Sequence, residues 1–223
     1  MELFSMDWFS ALLSIIIIDL VLAGDNAIVI GMAARNVPKD HQKLVILSGT
    51  AGAIIIRVLA TFVVVWLLNI PGLHLIGGLL LIWIAYKLMV DHKDHEVDAK
   101  NSIMSAIGTI ILADAAMGID NVLAVAGAAH GDYTLVITGL LISIPLVVWG
   151  STMILKLLER FPVVIMIGAG VLAYTAAKMI TSEGFLDAVF TNSIVKWGFV
   201  LVVVVATLWA GKHKQNSQIK ETA

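Results

Sequence analysis

Seven apolar runs, each close to the length that crosses a lipid bilayer, dominate this sequence, at 8–34, 44–68, 73–90, 103–129, 134–155, 163–181 and 195–210. A bilayer core needs about 20 apolar residues in helical form, whereas a barrel strand needs only about 10, so runs of this length predict helices. The links between them, such as "RNVPKDHQK", "NIPG", "HGDY" and "ERFP", are short and rich in turn residues, which leaves no room for a separate soluble domain. Composition agrees, with 60% hydrophobic residues against 13% charged. The expected fold is therefore all-α: a polytopic membrane protein with one transmembrane domain over 1–210 and a polar, mobile cytoplasmic tail over 211–223. With no cysteine, disulfides, thiolate ligands and cysteine nucleophiles are excluded, and a net charge of −2 gives no basis for a nucleic-acid partner. The start, "MELFSMDWFS", lacks the basic flank of a secretory signal, so the first run is expected to remain in the mature chain.

Basic residues set the expected orientation, because lysine and arginine in short loops stay on the cytoplasmic side. Seven spans divide the loops between two sides. One side collects ten basic residues, from Arg35, Lys39 and Lys43 through Lys93, Lys100, Lys156 and Arg160 to the tail lysines, and the other collects Lys196 alone. The N-terminus is thus expected outside and the C-terminus inside a cell membrane, in a chain of bacterial type. Arg57, Lys87 and Lys178 fall within the runs.

The first run carries "DLVLAGDNAIVI", which places Asp19, Asp25 and Asn26 in apolar surroundings. A twin, "DAAMGIDNVLAVAGAA", repeats the spacing 95 residues further on, with Asp114, Asp120 and Asn121. A weaker match aligns Ile76–Met89 with Ile167–Ile180 and pairs Gly77 with Gly168, Trp83 with Tyr174 and Lys87 with Lys178. The chain reads as duplicated, with repeat one over 8–90, repeat two over 103–181 and an extra helix over 195–210. Three helices per repeat is an odd number, so the second copy must cross the membrane in the opposite sense to the first. Such inverted repeats bring the polar centres of the first and fourth helices together. On a regular helix Asp19 and Asn26 share a face while Asp25 points about 120° away, and Gly24 and Gly118 would permit local unwinding that frees backbone carbonyls.

A carboxylate in hydrocarbon costs about 2.5–3.5 kcal/mol even on the most lenient scale, so four aspartates must be paired, hydrated or neutralised. One solution is pairing with Arg57, Lys87 and Lys178; the other is a cation site. Carboxylate and amide oxygens suit a hard or borderline divalent ion such as Mg²⁺, Ca²⁺ or Mn²⁺ and disfavour Cu⁺ and Zn²⁺. Met117, three residues after Asp114, either fills a helix interface or adds a thioether that favours a transition metal. Arg57 has no basic counterpart near Val147–Thr152 in the fifth run, so it is either a structural ion-pair partner or an internal cation that replaces the metal. Lys87 and Lys178 lie near run ends, where snorkelling explains them as well as pairing does. The loop "DHKDHEVD" over 91–98 brings His92, His95 and four acidic residues to the cytoplasmic side, as a solvated loop or a metal-capture segment. His74, His130 and Asp132 fall at the outer face.

The two motifs, in the first and fourth helices of a seven-helix chain, resemble the paired signature of the TerC family. That resemblance covers nearly the whole chain and implies a role in metal homeostasis, with Mn²⁺ as exported substrate and Asp19, Asp25, Asn26, Asp114, Asp120 and Asn121 as its ligands. The choice of manganese comes from the resemblance alone; Mg²⁺ and Ca²⁺ stay open on the residues. The expected protein is a transporter, not an enzyme, that needs the bilayer and no organic cofactor. A membrane partner delivering metal to secreted proteins is one alternative, with contacts to secretion machinery or to a second copy left open. An intramembrane aspartyl protease is another, since Ala23-Gly24-Asp25 faintly resembles a Gly-x-Gly-Asp motif. Proton coupling is expected from charge balance, because a protonated aspartate would offset the negative surplus of the metal-free centre, although Na⁺ could take that role.

Overall fold

The computed structural model describes residues 5–67, 70–90, 99–129, 132–161 and 163–221, and no strand occurs among them. Six long helices come first: α1 (Met6–Arg35), α2 (Lys39–Leu67), α3 (Leu73–Val90), α4 (Ala99–Ala129), α5 (Tyr133–Arg160) and α6 (Val163–Thr181). A 3-10 turn (Gly184–Leu186) then leads through the one-turn α7 (Asp187–Phe190) into α8 (Ser193–Glu221). Local chemistry sets the boundaries. Ser5 caps α1 by accepting from Trp8 N–H at 3.1 Å, and Asp132 caps α5 by accepting from Thr134 N–H at 2.9 Å. Between α2 and α3, Ile70-Pro71-Gly72-Leu73 closes with Leu73 N–H donating to Ile70 C=O at 3.4 Å. Gly72 takes φ +86° there, as the third position of a type II turn requires after proline.

Among the described residues, five helices are long and apolar enough to cross a membrane: Lys39–Val63, Leu73–Val90, Tyr133–Arg160, Val163–Thr181 and Ser193–Ser217. A sixth span arises if the two parts of α1, Met6–Asp19 and Ala23–Arg35, which incline 46° to each other, are taken together. In α4 a shorter apolar stretch, Ser102–Gly118, contains Asp114. Two expectations change. α1 and α4 stay helical through Gly24 and Gly118, so α1 bends where unwinding was expected. The polar segment after residue 210 continues α8 as helix to Glu221.

The main packing pairs are α1 with α5, α2 with α4 and α3 with α6, while α8 lies on α3 and α6. Lipid tails are as apolar as leucine, so helices in a bilayer associate by close packing, which small residues permit. A Cβ on Gly31 would lie 2.8 Å from Ile154 of α5, one on Gly49 2.6 Å from Ile110 of α4, and one on Gly78 2.7 Å from the Ala176 carbonyl oxygen of α6. The core is split. One cluster joins the first turns of α1 and α5 to the last of α4, around Trp8, Ile15, Val125 and Leu135. The other gathers the later half of α1, the earlier half of α4, the end of α5, and α3 and α6, around Met32, Ile110, Leu158 and Leu172. The acidic motifs lie between these clusters, mid-way along α1 and α4.

One polar contact escaped the sequence reading. Glu183, buried just past α6, accepts from the backbone N–H groups of Gly72, His74 and Leu75 at 3.0, 3.1 and 3.3 Å. Its carboxylate therefore sits at the N-terminus of α3, where orphan amides and the helix dipole favour an anion, and ties the end of α6 to the start of α3. Nothing in "TSEGF" signals a partner so distant in sequence.

Candidate metal site

Arg57, in the middle of α2, is 6% exposed and cannot deprotonate in a protein, so the fold must supply anions. It supplies two. Nη1 donates to Asp19 Oδ1 of α1 and Nη2 donates to Asp114 Oδ1 of α4, and these aspartates are only 2% and 7% exposed. They are the corresponding residues of the two motif copies, so the arginine holds both copies through one fork. Arg57 Nε has no partner among the described residues.

Asp114 divides its two oxygens between different surroundings. Oδ1 takes the arginine, whereas Oδ2 is buried without a hydrogen-bond partner among the described residues, and Asn26 Oδ1 shares that condition. Both residues line a small cavity closed by Met117, Ala53 and Ile110. Its volume, about 10 Å³, is at the lower bound for one water-sized guest. Buried oxygens left unpaired cost free energy, about 1–3 kcal/mol each, which calls for a donor or a cation. On its other side the cluster meets a cavity of about 680 Å³, lined by Arg57, Asp114 and Gly118 among apolar residues such as Leu59, Phe62 and Leu73.

The two faces of α1 separate as helical spacing requires. Asp19 and Asn26 turn toward α2 and α4, and half-buried Asp25 turns toward α6, where Thr175 Oγ1 donates to its Oδ2 at 2.7 Å. Thr175 was not anticipated; a hydroxyl in an apolar run was its only signal. Asn121 is buried in α4, while the side chain of Asp120, the loop 91–98 with His92 and His95, and His130 lie outside the described residues. Among those described, no three histidine, aspartate or glutamate side chains form a ready metal centre. A cation at the small cavity would instead meet one carboxylate, one amide oxygen and the Met117 thioether. The two lysines stand apart from this cluster: Lys87 Nζ donates to Ser105 Oγ at 3.3 Å and lies over the Trp83 ring, and Lys178 lies over the Tyr174 ring.

A helical bundle with membrane-length apolar helices around a buried aspartate–arginine–aspartate cluster is a multi-pass integral membrane protein. More narrowly, the chain belongs to the TerC family: the model described as "Integral membrane protein TerC family" matches residues 4–218. It is 44% identical over 178 residues to the membrane protein YjbE of Bacillus subtilis, covering 79% of this chain and 82% of that protein. To YkoY of the same organism it is 25% identical over 238 residues, covering 92% of this chain and 73% of the relative. No solved structure matches the chain.

Proposed function

We propose that the chain is a secondary transporter that exports a divalent metal, foremost Mn²⁺, through the centre between α1, α2 and α4. The observation that carries this reading is the pair of unpartnered oxygens, Asp114 Oδ2 and Asn26 Oδ1, on one small cavity beside Met117. Two hard oxygens and a soft thioether suit a borderline divalent ion better than Mg²⁺, which demands oxygen and water. So sparse a ligand set also suits a carrier, which must release what it binds. Asp25, Asp120 and Asn121 complete the proposed pathway. Arg57 between Asp19 and Asp114 keeps those two from sharing a proton, and Asp25, on which the protease alternative rested, turns instead to Thr175 of α6.

Inverted repeats and seven spans belong to this reading. Exchanging α1 with α4 and α2 with α5 turns the α1–α5 pair into α4–α2, and both are main packing pairs, which supports the symmetry. With the N-terminus outside, the large cavity falls in the outer half, since it is lined by the later half of α2, the first residue of α3 and Asp114, Ala115, Gly118 and Val122 of α4. It then serves as the exit.

Flux tests the function directly: purified protein in liposomes should move Mn²⁺ without any other protein, and liposomes indistinguishable from protein-free controls would refute it. Orientation has its own test in this cysteine-free chain. Single cysteines at exposed Ser182 and Thr134 should react with an impermeant thiol reagent from outside the cell, while those at exposed Lys39 and Lys156 should not; the reverse pattern would invert the topology. Ser182 is preferred to its neighbour Glu183, whose carboxylate is buried against α3.

A further inference from the structure

Resting on the proposed metal site, we infer that Arg57 is a tethered counter-cation that competes with the metal for the negative charge of the Asp19–Asp114 pair. The side chain is placed for such an exchange. It holds the equivalent aspartates of both repeats, and it stands between the small cavity, reached through Asp114, and the 680 Å³ cavity, which it lines itself. The corresponding stretch of α5 offers Ser151 and Thr152, whose hydroxyls donate to their own helix, so the second repeat carries no matching cation.

Charge decides between a fixed and a movable arginine. Two carboxylates and one guanidinium leave a surplus of one negative charge. A divalent ion added beside a fixed guanidinium would turn this into one positive charge, at an equally high cost in a low-dielectric centre. If the guanidinium instead swings into the large cavity as the metal arrives, two carboxylates and one divalent ion are neutral. Arginine suits the part: its flexible stem carries a permanent charge, and its fork addresses two carboxylates at once. When the metal leaves, the fork closes again over both aspartates and opposes rebinding. Release is thereby assisted by a residue of the chain itself, with no external ion required at these two carboxylates.

Equilibrium Mn²⁺ binding to the purified full chain, read from the electron paramagnetic resonance of free Mn²⁺, tests the competition. Removing a competitor must tighten binding, so Arg57→Gln is expected to bind about tenfold more tightly than the unmodified chain, with Arg57→Lys between them because one ammonium cannot hold both carboxylates. A purely structural arginine predicts the opposite, since its loss would disorder the aspartates and weaken binding. Equal or weaker binding by Arg57→Gln overturns the inference. Should that variant fail to insert, Arg57→Lys decides alone, and affinity no higher than that of the unmodified chain overturns it. If the unmodified chain binds no Mn²⁺, the metal-site reading falls and takes this inference with it; binding without tightening in the variants removes the inference only.

Discussion

Replacing Asp114 by asparagine is expected to lower Mn²⁺ export roughly 100-fold in a protein that still inserts, the equivalent of about 3 kcal/mol. Asp114 joins the two neighbours of the centre: one oxygen receives Arg57, the other is buried without a partner among the described residues, and the residue lines the small cavity with Asn26. Asparagine keeps the shape and leaves Arg57 paired with Asp19, so the buried cluster becomes neutral and folding has no unpaired charge to accommodate. The change removes the carboxylate charge from the cavity lining, and no other carboxylate among the described residues lines that cavity. Asp19→Asn also neutralises the cluster but leaves Asp114 Oδ2 in place, so a smaller loss, about tenfold, is expected. Mn²⁺ efflux from vesicles, normalised to inserted protein, measures both. Near-normal export by Asp114→Asn would remove the small cavity from the pathway.

Helix positions were legible because bilayer length is a strong constraint: the runs expected at 73–90 and 163–181 coincide with α3 and α6, and the others differ mainly at their ends. The periodicity of α1 likewise told which residues share a face, since Asp19 and Asn26 look one way and Asp25 another whatever packs against them. Partners were not legible. That an arginine inside an apolar run needs an anion follows from its permanent charge, but that it would take Asp19 and Asp114 together depends on how α1, α2 and α4 meet, which no local pattern encodes. Glu183 and Thr175 were missed for the same reason, as each acquires its role from a helix distant in sequence. The helical form of the tail went unread for a different reason. Residues such as "KHKQNSQIKE" are too polar for lipid, which marks the end of a span, yet lysine, glutamine and glutamate are good helix formers and the helix of α8 simply runs on.

Gly118→Leu is expected to abolish most Mn²⁺ export while leaving the fold intact. A glycine inside a helix costs about 1 kcal/mol relative to alanine, so its presence asks for a reason. Packing among the described residues does not provide one, because Gly118 is buried and yet a Cβ there would meet none of their atoms within 4 Å. Nor does backbone conformation, since Gly118 lies within continuous α4 and Gly72 is the only glycine with positive φ among the described residues. The space around Gly118 belongs to the 680 Å³ cavity it lines with Arg57 and Asp114. A leucine there would project into that cavity beside the charged cluster and obstruct both metal exit and the excursion proposed for Arg57. Export should fall by about tenfold or more, with thermal stability unchanged or raised by the better helix former. Gly78→Leu provides the contrast: its Cβ would lie 2.7 Å from the Ala176 carbonyl oxygen, a backbone atom that cannot step aside, so α3 and α6 must separate and folded protein should be lost. Size-exclusion profiles and melting curves alongside vesicle efflux distinguish the two modes of failure. If Gly118→Leu is well folded and exports Mn²⁺ at the normal rate, the large cavity is a gap between helices that the ion never enters, and the exit must lie elsewhere in the bundle.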